Sequence, residues 1–114
     1  MDAPKGSAAG EWIAVCDTAD VFEGVGRRYE LAGYPPLAVF NVDGAFHVTD
    51  DTCTHGDASL ADGWVEGDQV ECPFHQGKFC VRTGEATAFP AEAPIRVYRS
   101  KVEDGRVLIE PPAT

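Results

Sequence analysis

Three tight-turn signals cut this chain into short alternating runs, a division that favours strands throughout. Asp43-Gly44 lies between LAVFNV and AFHVTD, and Asp104-Gly105 lies between IRVYRSKVE and RVLIE. An Asp-Gly pair flanked by such runs is a β-hairpin signal. Glu66-Gly67-Asp68, between WV and QVEC, makes a third. In EWIAVC (11–16) Trp12, Ala14 and Cys16 fall on one face, and in GRRYELAG (26–33) Arg28, Glu30 and Ala32 lie opposite Tyr29 and Leu31. No segment sustains a helical period, although DASLADG is compatible with one turn. The expected fold is all-β, an antiparallel sandwich or small barrel. The ends are expected to fray at 1–10 and 111–114, leaving one domain over 11–110.

At 114 residues the chain suits a single core. The first ten residues lack an apolar run, and LAGYPPLAVFNV falls well short of the roughly 20 apolar residues that span a bilayer. The expectation is therefore a cytoplasmic protein with no membrane partner. In that reducing compartment four cysteines clustered with histidine point to metal rather than to disulfides. A net charge of −10 repels phosphates and argues against nucleic acid. Eight acids (Asp43, Asp50, Asp51, Asp57, Asp62, Glu66, Asp68 and Glu71) occupy residues 41–71 with no Lys or Arg among them. They read either as a solvated face or as a docking surface for a basic partner.

Two stretches carry the chemistry: DTCTHGDASLADG (51–63) and ECPFHQGKFC (71–80). The first holds Cys53-x-His55 and the second Cys72-x-x-His75, with sixteen residues between His55 and Cys72. One tetrahedral zinc ion is the generic reading of two thiolates and two imidazoles. Zinc fingers, however, pair Cys with Cys and His with His locally, whereas each stretch here supplies one of each. A mixed pair in each arm suits a two-metal group, with both thiolates on one iron and both imidazoles on the other. That is the ligand set of a Rieske [2Fe–2S] centre. Two ferric ions, two sulfides and two thiolates sum to about zero charge with neutral imidazoles, so the oxidised group suits a poorly hydrated pocket.

CTHG and CPFHQGKF, together with VFNVDGAFHVTDDTCTHG, LADGWVEGDQVECP and the closing GRVLIE, resemble the Rieske ferredoxins, most of all those serving bacterial aromatic-ring dioxygenases. The resemblance runs from about Glu11 to Glu110. It implies a cluster-binding subdomain with its loops at about 51–80 and one [2Fe–2S] cluster per chain. Cys53 and Cys72 would hold the buried iron, and His55 and His75 the outer iron at the tip. Gly56 and Gly77 would give tight loops open to the sulfides, and Pro73 would stiffen the second loop. FPAEAP (89–94) looks like the loop that covers the cluster in this family, with Phe89 and Pro90 as its shield. Respiratory members carry an extra cysteine in each loop where this chain has Ala58 and Phe74. They also place Ser and Tyr hydroxyls near the cluster where this chain has Gly77 and Phe79. Lost hydrogen bonds to sulfur destabilise the reduced state, which places the expected potential toward the bottom of the Rieske range of about −150 to +300 mV.

The function so implied is one-electron carriage from a flavin-containing or iron–sulfur reductase to a terminal oxygenase, by a monomer. Transfer would pass through an apolar collar of Phe74, Gln76 and Pro90 around His55 and His75. The chain itself is not expected to be an enzyme. An oxygenase needs a further iron, usually held by two His and a carboxylate, and only His47 would remain for it. The alternatives are a small Rieske subunit of another redox system, such as a nitrite reductase, and a zinc-stabilised interaction module. Cys16, Cys80, His47, Trp12 and Trp64 read as ordinary structural residues, the two tryptophans as core anchors.

Overall fold

The computed structural model describes residues 12–54, 58–74, 76–89, 91 and 93–110. Their strands are β1 (Ile13–Asp17), β2 (Gly26–Tyr29), β3 (Leu37–Val42), β4 (Ala45–Asp50), β5 (Trp64–Glu66), β6 (Gln69–Glu71), β7 (Lys78–Cys80), β8 (Ala86–Ala88), β9 (Val97–Tyr98), β10 (Ser100–Glu103) and β11 (Arg106–Ile109). They form three antiparallel sheets in the orders β1-β11-β10, β2-β3-β4-β9 and β5-β6-β7-β8. Among the described residues there is no α-helix. DASLADG supplies the one turn expected of it, a 3-10 turn at Leu60–Asp62.

β3 organises the molecule. Leu37, Ala38, Val39 and Phe40 are all fully buried, and strand alternation sends them to opposite sides. Leu37 and Val39 join Val21, Val48, Tyr98, Val107 and Ile109 in one core. Ala38 and Phe40 join Leu60, Val70, Phe79, Val81 and Ile95 in another. One strand thus ties the core shared with β4, β9 and β11 to the core that carries Cys53 and Cys72.

The turns follow their local chemistry. Asp43 and Gly44 have φ of 52° and 87°, and Asp104 and Gly105 have 55° and 75°, the paired left-handed conformation that a two-residue hairpin of this type requires. Gly67, at φ 60°, opens the loop between β5 and β6.

Three expectations change. The run 26–33 pairs only as far as Tyr29, because a turn closed by the Tyr34 N–H on the Leu31 carbonyl (3.0 Å) takes the chain away from the sheet; Tyr29 and Leu31 still pack together against the core. In β1 a register shift between Ala14 and Cys16 breaks strict alternation, so Ile13, Val15 and Cys16 all reach the core. Trp64 is no core anchor: it is 62% exposed on edge strand β5, where only Val65 faces inward. No helix among the described residues is long and apolar enough to cross a membrane.

Candidate metal centre

The two cysteine-bearing arms have the same local form. In the first, Thr52 and Ser59 pair as an antiparallel bridge, and the Cys53 N–H donates to the Ala58 carbonyl at 3.0 Å. In the second, Glu71 pairs with Lys78, and the Cys72 N–H donates to the Gly77 carbonyl at 2.7 Å. Each cysteine is therefore the first residue of a loop pinched shut five positions later. Both are buried, at 3% and 0% exposure, in the apolar cluster that contains Ala58, Leu60, Val70 and Phe79.

The second arm reverses through Gln76, whose φ of 64° is left-handed and whose N–H donates to the Cys72 carbonyl at 3.1 Å. Such a conformation is uncommon for a residue with a side chain. It turns Gln76 out to solvent while Gly77 is buried and Pro73 half-buried. Phe74 is 69% exposed on the same arm. The histidines His55 and His75, with Gly56 and Pro90, lie outside the described residues.

A third segment meets both arms. Ala88 pairs with Lys78, which sets Phe89 beside the second arm, and Thr54 Oγ1 of the first arm donates to the Ala93 carbonyl at 2.9 Å. The FPAEAP segment is thus fastened to both loops. Phe89 is 80% exposed, so most of its ring faces solvent rather than packing beneath the segment.

Sequence reasoning counted Asp51 only as one acid of eight. In the fold it is buried at 2% exposure, and its Oδ1 accepts the Ala61 N–H at 2.9 Å while its own carbonyl accepts the Leu60 N–H at 2.8 Å. Arg28 Nε stands 3.7 Å from its Oδ2. Asp50 is also engaged, accepting the Tyr98 hydroxyl at 2.6 Å, with Arg96 Nε 3.7 Å from its other oxygen. Asp68 pairs with Arg82 at 2.8 Å, and this hydrogen bond holds its carboxyl below the ordinary value. Among the described members of the acidic segment, Asp43, Asp62 and Glu66 remain exposed. The only signal for the buried role was position: Asp51 stands two residues before Cys53 and opens the arm.

The model of the family described as the Rieske [2Fe-2S] domain matches residues 11–99. This chain belongs to that family. The ferredoxin component of biphenyl 2,3-dioxygenase from Rhodococcus jostii (strain RHA1) is 45% identical over 96 residues, 84% of this chain and 89% of that one. Among solved structures, the Sphingomonas yanoikuyae B1 ferredoxin superimposes with a TM-score of 0.86 at 45% identity, covering 90% of this chain and all of the other. A chain in the complex of reduced oxygenase and oxidised ferredoxin in carbazole 1,9a-dioxygenase gives 0.81 at 43% identity, over 87% of this chain and 92% of that one. As a Rieske domain the chain has a [2Fe–2S] cluster as its cofactor.

The described residues of this Rieske domain fit that group. Two buried cysteines at the heads of two matched loops, within one apolar cluster, form a site where thiolates are shielded from water. The other singled-out residues of the Rieske domain are structural. Cys16 is half-buried, and burial pushes its thiol up, away from the reactive thiolate. Cys80 is buried at the end of β7. His47 pairs with Phe40 in β4, and its burial, aided by nearby Arg82, pushes its imidazole down. Trp12 is half-buried beneath Lys101, whose Nζ lies 4.5 Å from its ring centroid.

Proposed function

We propose that this Rieske domain, a single unit over 11–110, is a cytoplasmic monomer that shuttles single electrons from a flavin-containing or iron–sulfur reductase to the terminal oxygenase of an aromatic-ring dioxygenase. The observation that carries the reading is the pair of matched, pinched loops headed by buried Cys53 and Cys72. The names of the relatives support the system: one is a component of a biphenyl dioxygenase, and another comes from a complex with an oxygenase.

When bound, the cluster supplies a one-electron couple. Cys53 and Cys72 hold its inner iron, and His55 and His75 hold its outer iron. The exposed rings of Phe74 and Phe89 and the outward Gln76 offer a docking surface on the second arm and the segment that follows it. Small contacts of this kind release quickly, as a shuttle requires. The chain has no substrate-converting site of its own: beyond the two ligand histidines only His47 is present in the sequence, and it is half-buried within β4. A mononuclear iron centre of two His and a carboxylate therefore belongs to the oxygenase.

Electron paramagnetic resonance of the dithionite-reduced protein tests this reading. A rhombic signal with an average g below that of all-cysteine ferredoxins is expected. A silent spectrum from protein that contains zinc overturns it.

A further inference from the structure

Asp51 is the only carboxylate among the fully buried described residues. A buried anion is costly to desolvate unless it is paired and hydrogen-bonded. Among the described residues its one short side-chain contact is the Ala61 amide on Oδ1, and Arg28, half of whose side chain is exposed, stands 3.7 Å from Oδ2. A neutral amide side chain would offer the same acceptor to Ala61 without the desolvation cost. The clamp therefore explains the shape of the residue and leaves its charge unexplained.

The surroundings give the charge a use. Asp51 stands two residues before Cys53, and its backbone is held on both sides, by its N–H on the Pro36 carbonyl (2.9 Å) and by the Leu60 N–H on its own carbonyl (2.8 Å). Cys53 and Leu60 share one buried cluster. A fixed negative charge here is buried two residues from Cys53, in surroundings where Coulomb interactions are weakly screened. Reduction adds one electron there, with no bond made or broken, and a neighbouring carboxylate opposes it. Arg28 opposes the carboxylate in turn, but it is half in solvent and its effect is screened.

We infer that Asp51 is a positioning residue with two separable actions: its Oδ1 locks the first ligand arm onto the Leu60–Asp62 turn, and its charge lowers the reduction potential, with Arg28 as the partial counterweight. The inference rests on the Rieske reading of the two arms.

The test is the midpoint potential of the intact holoprotein, followed by paramagnetic resonance in a mediated redox titration, with iron and sulfide content measured alongside. Asp51→Asn keeps the acceptor, so it should retain the cluster and its rhombic signal while the potential rises. Arg28→Gln should lower the potential by a smaller amount. Asp51→Ala removes the acceptor and should lose cluster content and hasten hydrogen exchange at the Ala61 amide. Unchanged potentials in Asp51→Asn and Arg28→Gln, with cluster retained, overturn the electrostatic role. If Asp51→Asn fails to hold the cluster, Arg28→Gln decides alone: a fall supports the charge role and no shift ends it. A wild-type protein without the rhombic signal instead defeats the Rieske assignment itself.

Discussion

Cys53 and Cys72, nineteen positions apart in the chain, occupy equivalent places in two loops, each donating its backbone N–H to the carbonyl five residues on. Each loop is the tip of a stem, Thr52 with Ser59 in one and Glu71 with Lys78 in the other. Two knuckles built alike place both cysteines in one apolar cluster, while Thr54 of the first and Phe74 and Gln76 of the second are exposed. A shuttle needs this arrangement, with one side of its centre protected and the other within reach of its partners.

Replacing a proposed ligand of the second arm should therefore remove the native centre altogether. His75→Ala and Cys72→Ser are expected to lose the visible absorption and the rhombic signal of the reduced protein. A variant that keeps the wild-type spectrum would show that the replaced residue is not a ligand.

Phe79 has no exposure and lies in the same cluster as both cysteines. Phe79→Tyr should add a hydroxyl near the sulfurs, and hydrogen bonds to sulfur favour the reduced state. The expected outcome is a higher midpoint potential with an otherwise native spectrum. An unchanged potential in a fully loaded variant would mean that the hydroxyl finds another partner.

Two left-handed glycines separate backbone strain from collision. Gly33, at φ 85°, has nothing within 4 Å of an added Cβ, whereas at Gly84, at φ 87°, a Cβ would meet the Ile95 carbonyl oxygen at 2.2 Å. Gly33→Ala should cost about 1–2 kcal/mol. Gly84→Ala should cost upwards of about 3 kcal/mol, since the Ile95 N–H to Gly84 carbonyl bond that closes the segment 84–95 must also shift. Denaturant unfolding of the two variants gives the comparison.

The Tyr98 hydroxyl is pushed up to about 12, first by burial and then by its hydrogen bond to Asp50. A raised value in the folded state means that the neutral phenol is favoured by folding, so this stability is complete below about pH 10, the unfolded value, and is lost as pH climbs through about 12. Tyr98→Phe should lose about 1.5–3 kcal/mol at pH 8 and show a flatter decline between pH 10 and 12. Unfolding curves across that window will test it; an identical alkaline slope in the two proteins would exclude Tyr98 as the source.

Among the described residues, Asp43, Asp62 and Glu66 carry the exposed part of the acidic segment. Exposed charges act mainly on encounter rate and are screened by salt. Glu66→Lys should slow reduction by the cognate reductase several-fold in stopped-flow at low ionic strength and leave it near wild type at about 0.5 M salt. Equal slowing at both salt levels would indicate a direct contact instead.

What could be read from residue order was chemistry acting over a few positions. Asp43-Gly44 and Asp104-Gly105 had to turn left-handed because two-residue hairpins demand it, and four ligand-type side chains at unusual local spacing pointed to a mixed two-iron centre. Strand faces were legible where alternation was regular, as at Tyr29 and Leu31, and were lost at the register shift in β1, which depends on how β11 pairs with it. The fates of Trp64, Asp50 and Asp51 could not be read that way. A large aromatic stands in the open because its strand lies at a sheet edge, and one of eight similar acids is buried because Ala61, Leu60 and Arg28 close around it from other parts of the chain. Burial is set by what packs from a distance, so the candidate ligands could be named from the sequence, while their surroundings were decided only by the tertiary structure.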